Sequence, residues 1–559
     1  MDALRIISLG GFADVTQNMF AYHYLPEGKE KNDQILIIDC GVGFPEEGAY
    51  GVDLVIPDAS YVNERKEKIV GIILTHAHED HIGALPFIMP NLGANVPIFA
   101  PPLAAAFAAE RMLETGLTYP IKTFQSGANI RLGKFLVEVA RVNHSVPDTF
   151  HLFIQTPVGN FYHGADFKFD LTPPDGIASE FTKMSEFAKK GVLCLLSDSL
   201  GADKSGFSPS EVELNQTFED QIRQAKGRVF LTAISSNIYR WNAAIDASRK
   251  FSRKICLLGF SIEKSVRIAS KLNYLRIKPD NLVDLRKAQN LPDNKIAYLV
   301  AGSLAQSGST LEKIVLGKHK LTPKKGDKFI FSSPDYVPGT SKAIHRLIDT
   351  LLQQGADVVY DSSEGLLHVS GHGYREELML LISLLSPKNL LPIGSEWRQM
   401  AFYYATAKKM GYKTENLVVP KNNAMPTFWQ NGKFDLNFKL PVRKVLVDGL
   451  GVGDVGQTVL RDRRILAKEG MIVIILLIDG ASKNLTEPPS VISRGFVYVK
   501  ESQKILDEIK KQTELCFAET KGPIFNLDNI RFQIQNRLEE LVFRQTGRRP
   551  MVMPVMMEI

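Results

Sequence analysis

The chain has 559 residues, 44% hydrophobic and 23% charged, too long for one hydrophobic core and long enough for about three to four domains. A net charge of +6 is compatible with a nucleic-acid partner but does not argue for one. The longest apolar runs, such as "MIVIILLI" at 471–478, fall far short of the roughly 20 residues of a membrane span; no basic stretch leads into an apolar leader, and four scattered cysteines (Cys40, Cys194, Cys256, Cys516) suit reduced thiols in the cytoplasm.

From Leu4 to about Ser210, short β-branched runs ("QILIIDCG", "KIVGIILTH", "FLVEVARVNH", "GVLCLLSDS") alternate with loops and a few helical stretches, the pattern of a strand-rich α/β layer domain. Between about Glu211 and Gly355, helix-period segments such as "EVELNQTFEDQIRQAKG" precede apolar strands ("RVFLTAIS", "KICLLG", "KIAYLVAG", "KFIFSS"), which predicts a parallel sheet with crossover helices. Strand, polar loop, amphipathic helix and strand then return through "ADVVYDSSEGLLHVSGHGYREELML". A polar connector follows, and from about Val455 a smaller α/β segment closes the chain, with helices expected near 502–516 and 527–546. No internal repeat is visible.

The densest chemistry lies in "GIILTHAHEDHIGALPF" at 71–87, where His76, His78, Asp80 and His81 crowd the end of an apolar strand. Alternation along an extended chain puts His76 and His78 on one side, so two imidazoles converge on one point. Asp80 and His81 follow at a turn and can face a second point nearby. The spacing therefore suggests two adjacent divalent ions, zinc or manganese. Asp39 after "ILII", His144 in "ARVNHSVPD" and Asp166 in "FYHGADFKFD" are the candidates for further ligands.

Together with "LGGFADVTQNMF", "IIDCGVGFPEEGAYGVDLVIPD", "RVNHSVPDTF", "HGADFKFD", "HVSGHG", "DGLGVGDVG", "VLRDRR" and "SRGFVYV", these residues resemble the metallo-β-lactamase-fold hydrolases, and among them the ribonuclease J family of β-CASP nucleases. The resemblance runs almost the full length of the chain. It implies a metallo-β-lactamase αββα sandwich with an inserted β-CASP α/β domain and a small C-terminal α/β domain: 1–212 and 355–430 for the sandwich, 213–354 for the insertion, 431–454 for a linker and 455–559 for the last domain. It implies His76, His78 and His144 on one metal, Asp80 and His81 on the other, Asp166 bridging and Asp39 behind them. Catalytic roles fall to Asp80, His368 and His372. The loop His368, Val369, Ser370, Gly371, His372 is expected to hold an RNA phosphate, with Ser236 and Asn237 of "ISSNIYR" as a second phosphate contact. Tyr239 and Arg240 are read either as RNA contacts or as packing. A calcium-like structural site is implied at Gly51, Asp53 and Asp448. The "GVGDVG" at 451–456 fits a dinucleotide fingerprint only superficially, since the preceding strand stops short of the first glycine.

Three departures from the family pattern stand out. Gly394 in "LPIGSEWRQ" occupies the place of a histidine expected on the second metal, "AGSLAQSGS" replaces a Gln-Gly-Glu-Pro stretch, and Phe260 stands where arginine is usual. Three readings follow. The first is a ribonuclease with 5′-to-3′ exonuclease and endonuclease action in RNA maturation and decay, working as a homo-oligomer. The second is a weakly active RNA-binding subunit in a hetero-oligomer with a paralogue. The third is a hydrolase of a small thioester, lactone or lactam, which a long insertion with phosphate-type loops disfavours.

Overall fold

The computed structural model describes residues 1–46, 48–334, 340–360, 366–449, 451–496, 503–520 and 526–559. The chain divides into two compact units, Met1–Phe44 with Leu54–Val445, and Pro45–Asp53 with Leu446–Ile559.

In the first unit, an eight-stranded sheet runs in the order Phe434–Lys439, Ala424–Trp429, Ala3–Gly10, Met19–Leu25, Gln34–Ile38, Ile69–Ile73, Ile98–Ala100, Ile121–Thr123. A six-stranded sheet runs Asn389–Ile393, Cys194–Asp198, Gly159–Gly164, Thr149–Thr156, Phe135–Val142, Asn129–Leu132. Side-chain alternation decides how the layers meet. Phe150, Leu152 and Ile154 join Phe20, Leu36, Ile38 and Phe428 of the other sheet in one core, while Phe153 turns to the opposite face. There it packs with residues of the helices Phe181–Lys189, Arg375–Leu385 and Trp397–Lys409. A third, wholly parallel sheet has the order Lys254–Leu258, Ile296–Val300, Val229–Ala233, Lys328–Ser332, Asp357–Val359 and its own core. It is inserted between Cys194–Asp198 and Asn389–Ile393, two strands that pair directly and in parallel.

This topology places the site. Gly159–Gly164, Cys194–Asp198 and Asn389–Ile393 are parallel neighbours, so Asp166, Asp198 and Gly394 all follow their carboxyl ends, where open sheets leave a crevice. In the other sheet Gln34–Ile38 and Ile69–Ile73 are also parallel, so Asp39 and the His76–His81 loop leave side by side.

The expected connector at 431–454 is corrected. Phe434–Lys439 is an edge strand of the large sheet, paired antiparallel with Ala424–Trp429, because Phe434 and Leu436 pack against the sandwich core. The second unit begins at Leu446 and takes Pro45–Asp53 with it. Within that unit Val52 packs with Val455 and Leu460, and Met471–Ile478 sits centrally between Ser490–Arg494 and Met551–Glu558 beside the helices Gln503–Thr520 and Leu527–Thr546. Ser502, where the sequence places a helix start, lies outside the described residues. Among those described, no helix is long and apolar enough to cross a membrane.

One buried carboxylate fastens the elements around the crevice. Glu377, fully buried in the first turn of Arg375–Leu385, accepts from the backbone N–H of Phe169 at 2.7 Å, of Ser208 at 2.6 Å and of Tyr374 at 2.8 Å. Replacing it by alanine strands two buried donors and a third that is part-buried. Glu377→Ala is therefore expected to lower stability by about 3 kcal/mol, measured by thermal or urea unfolding; an unchanged melting profile contradicts this assignment.

Candidate metal centre

Asp39 is the anchor of the first loop. Fully buried and held in the left-handed region at φ 60°, it accepts from Thr75 N at 2.7 Å, Thr75 Oγ1 at 2.8 Å and His81 Nδ1 at 2.8 Å. The Thr75 hydroxyl gives its proton to Asp39, so it accepts from His76 Nδ1 at 3.0 Å. One carboxylate thus orients two histidines, with both Nε2 atoms turned toward the donor cluster and Asn18 Nδ2 3.1 Å from that of His81. Gly41 makes this possible, since a Cβ there would lie 1.5 Å from the Asp80 carbonyl oxygen.

His144 is oriented from the other side. Its Nδ1 donates to the Gly371 carbonyl at 2.6 Å, and a Cβ on Gly371 would meet the His144 ring at 2.9 Å; only glycine permits that approach. His78 Nδ1 then lies 3.2 Å from His76 Nε2 and 3.0 Å from His144 Nε2. With their own protons directed elsewhere, His76 and His144 offer bare lone pairs to this point. Burial, reinforced by neighbouring imidazoles, holds both well below the usual histidine pKa, and burial pulls His78 down to about 3. Neutral nitrogens crowded lone pair to lone pair fit a shared cation. Asp166 adds an oxygen 3.8 Å from His76 Nε2 and 3.7 Å from His144 Nε2.

A second donor group shares Asp166. His81 Nε2 lies 3.4 Å from Asp166 Oδ2 and 3.7 Å from Asp80 Oδ2, and the three ligand atoms gather tightly enough to hold an ion. Burial opposes charge on His81, but Asp166, Asp39 and Asp80 outweigh it and raise its pKa well above the ordinary value. Burial and Asp166 push Asp80 up to about 6. The residues present thus fit two ions with Asp166 between them.

Asp198, not foreseen, completes a third grouping with Asp166 and His372. Its Oδ2 lies 2.8 Å from His372 Nδ1, and His372 Nε2 is 3.9 Å from Asp166 Oδ2. Burial works against charge on His372, yet Asp198 and Asp166 lift it to about 9, toward the charged form. The available signal was positional: "LLSD" ends a strand parallel to the one leading to Asp166. Gly394 looks into the same space. A Cβ there would sit 3.8 Å from both Asp166 Oδ1 and Asp198 Oδ1, so a histidine would be directed at the second group, but at φ 63° that backbone resists a side chain.

The substrate-side residues divide. Ser370 Oγ accepts from His372 N and donates to its carbonyl, both at 3.0 Å, so its hydroxyl shapes the loop. Buried Val369 contributes its carbonyl to Arg240. Ser236 is half-buried, and the preceding Ser235 hydroxyl hydrogen-bonds that of Ser261 at 2.9 Å. Asn237 caps the helix Ile238–Lys250 through Arg240 N at 3.0 Å and donates to Glu211 Oε1 at 3.3 Å, so its side chain has a structural task whatever else it contacts. Tyr239 donates to Asp175 Oδ2 at 2.7 Å and Arg240 is buried, so both take the packing alternative.

Gly51, Asp53 and Asp448 do come together, within the second unit, but around an arginine. Arg463 pairs with the Asp448 carboxylate and donates to the Tyr50 carbonyl at 3.0 Å, and a Cβ on Gly51 would lie 2.6 Å from its Nη1. Asp53 Oδ2 accepts from Gly449 N at 2.8 Å. A guanidinium already supplies the positive charge, so this set does not fit an added calcium ion.

The fold and these donors define a metal-dependent hydrolase of the metallo-β-lactamase superfamily, whose family description matches residues 29–165, with the Zn-dependent metallo-hydrolase RNA specificity domain matching 360–420. The ribonuclease J β-CASP domain matches 226–351 and the ribonuclease J C-terminal domain 458–559. Over its whole length the chain is 35% identical to Ribonuclease J of Thermus thermophilus, covering 96% of that protein. It is 31% identical to Ribonuclease J 1 of Streptococcus pyogenes (99% of this chain, 97% of the other) and 30% to Ribonuclease J2 of Bacillus subtilis (100% and 99%). The chain belongs to the ribonuclease J family, and is thereby a hydrolytic nuclease. A solved protein of unknown function from Enterococcus faecalis shares the fold at TM-score 0.51 and 15% identity, over 76% of this chain and 99% of that one.

Asp39→Asn removes the charge that orients His76 and His81. Affinity for the ions is expected to fall about 10- to 100-fold, read by competition with a metal-chelating dye; unchanged affinity would show that Asp39 only packs.

Proposed function

We propose that the protein hydrolyses RNA phosphodiester bonds, as a 5′-to-3′ exonuclease with endonucleolytic action, in RNA maturation and decay. The observation that carries this is the pair of donor groups sharing Asp166, beside a loop that presents His368 and His372. His76, His78, His144 and Asp166 would hold one ion, and Asp80, His81 and Asp166 the other. Zinc or manganese bound there supplies Lewis acidity toward a phosphoryl oxygen and acidifies water. The protein's own groups do the rest. His372, charged and aligned by Asp198 at 2.8 Å, is the group to protonate the departing 3′-oxygen, leaving a 3′-hydroxyl and a 5′-phosphate. Lys168, buried with its Nζ 3.2 Å from the Ser370 carbonyl, brings fixed positive charge beneath the loop that would receive the phosphate. Four free, buried cysteines accord with a cytoplasmic setting. A homo-oligomer is the proposed assembly.

One observation favours the second reading, a weakly active subunit paired with an active paralogue: Gly394 leaves the second ion three protein ligands. A single assay separates the two. Purified protein is given manganese or zinc and 5′-monophosphorylated, 5′-triphosphorylated or 5′-hydroxyl RNA, and products are resolved by chromatography. Release of mononucleotides from the monophosphorylated RNA, abolished by His78→Ala, is the expected result. RNA left intact at stoichiometric enzyme sinks the nuclease reading and leaves the subunit. Gly394→His is expected to raise retention of the second ion by elemental analysis, while its backbone costs about 1 kcal/mol of stability.

A further inference from the structure

The two histidines of the "HVSGHG" loop meet opposite partners at the same ring atom. His372 Nδ1 faces the carboxylate of Asp198. His368 Nδ1 instead lies 2.9 Å from Nη1 of Arg240. Arg240 is 1% exposed and its fork is committed: Nη1 also donates to the Ser332 carbonyl at 2.9 Å, and Nη2 donates to Glu211 Oε1 at 2.9 Å and the Val369 carbonyl at 3.1 Å. A guanidinium can only donate. His368 Nδ1 must therefore accept, and the ring's proton resides on Nε2.

We infer that Arg240 is a positioning residue that locks His368 in its Nε2–H tautomer, making it a fixed hydrogen-bond donor to a phosphoryl oxygen of the RNA and removing it from proton transfer. Two further observations agree. Burial and the cations Arg240, Lys204 and Lys168 hold His368 well below the usual histidine pKa, so it stays neutral. The same guanidinium grips the backbone of the next residue, Val369, so ring and loop are held by one group. Sequence reading left Arg240 between RNA contact and packing; its contribution runs through His368 and not through RNA. The inference rests on the ribonuclease reading for its ligand, and its test separates the two.

Full-length wild type, Arg240→Lys and His368→Ala are compared on RNAs carrying one neutral methylphosphonate, moved phosphate by phosphate across the cleaved region. Lysine keeps the charge beside Glu211 but cannot reach both His368 and Val369. One methylphosphonate position is expected to weaken binding to wild type by roughly tenfold or more. Arg240→Lys and His368→Ala should each erase that penalty while leaving the other positions unaffected. In Arg240→Lys, KM should rise more than kcat falls, with the limbs of the kcat–pH profile unmoved. A penalty that survives in Arg240→Lys, or a displaced pH limb, overturns the inference. Should the variant fail to fold, histidine-labelled wild type decides by NMR: the His368 signal, assigned by its loss in His368→Ala, must show a bare Nδ1 at neutral pH. An Nδ1–H ring or an imidazolium there refutes it. If no RNA is cleaved, the ribonuclease reading fails, while the binding penalty and the tautomer still judge Arg240.

Discussion

The site depends on one buried carboxylate. Asp39 accepts three hydrogen bonds at 2.7–2.8 Å, one directly from His81 and one from the hydroxyl through which it orients His76. Without that charge both rings would lose the group that orients them toward the donor cluster. The residue occupies a left-handed backbone conformation, a local cost that the three bonds offset. Its position at the end of Gln34–Ile38, next to the strand that delivers the histidines, is a product of parallel pairing.

The remaining groups follow one division of labour, set by what sits behind each imidazole. His144 has a carbonyl behind it, His76 a hydroxyl and His81 a carboxylate; each partner accepts a proton and turns the ring's Nε2 forward. His372 has a carboxylate behind it and, like His81 and unlike His76, His78 and His144, is raised toward the charged form by neighbouring carboxylates against the opposing effect of burial. His368 alone has a cation behind it. Five histidines thus acquire different chemistry from their second partners, which is the general way one residue type serves several roles in a site.

The dense "HAHEDH" stretch was legible because its ligands are consecutive and its strand is apolar, and the layered fold was legible from strand and helix periods. What escaped was nonlocal. Asp198 is one acid after one strand, indistinguishable from a turn residue until Cys194–Asp198 is paired between its neighbours. Asn237 has the composition of a phosphate contact, yet its first obligation is a helix N-terminus. The segment 434–439 is polar enough on one face to pass for a connector, although Phe434 and Leu436 belong to the sandwich core. Arg463 could be placed against Tyr50 and Gly51 only by knowing that Pro45–Asp53 joins the second unit.

The insertion between two directly paired strands has a bearing on how the molecule comes into being. His76 through Asp166 are synthesised before the five-stranded sheet, whereas Asn389–Ile393 and the edge strands Ala424–Trp429 and Phe434–Lys439 emerge after it. Ala3–Gly10 must therefore wait for a partner strand more than four hundred residues downstream, a contact order that slows closure of the sandwich. The inserted sheet, with its own core, can consolidate in the interval. A chain interrupted during synthesis would carry His76, His78, Asp80, His81, His144 and Asp166 on an open half-sandwich without the loop that ends in His372, so the cluster gains its last neighbours only when nearly the whole first unit has been made.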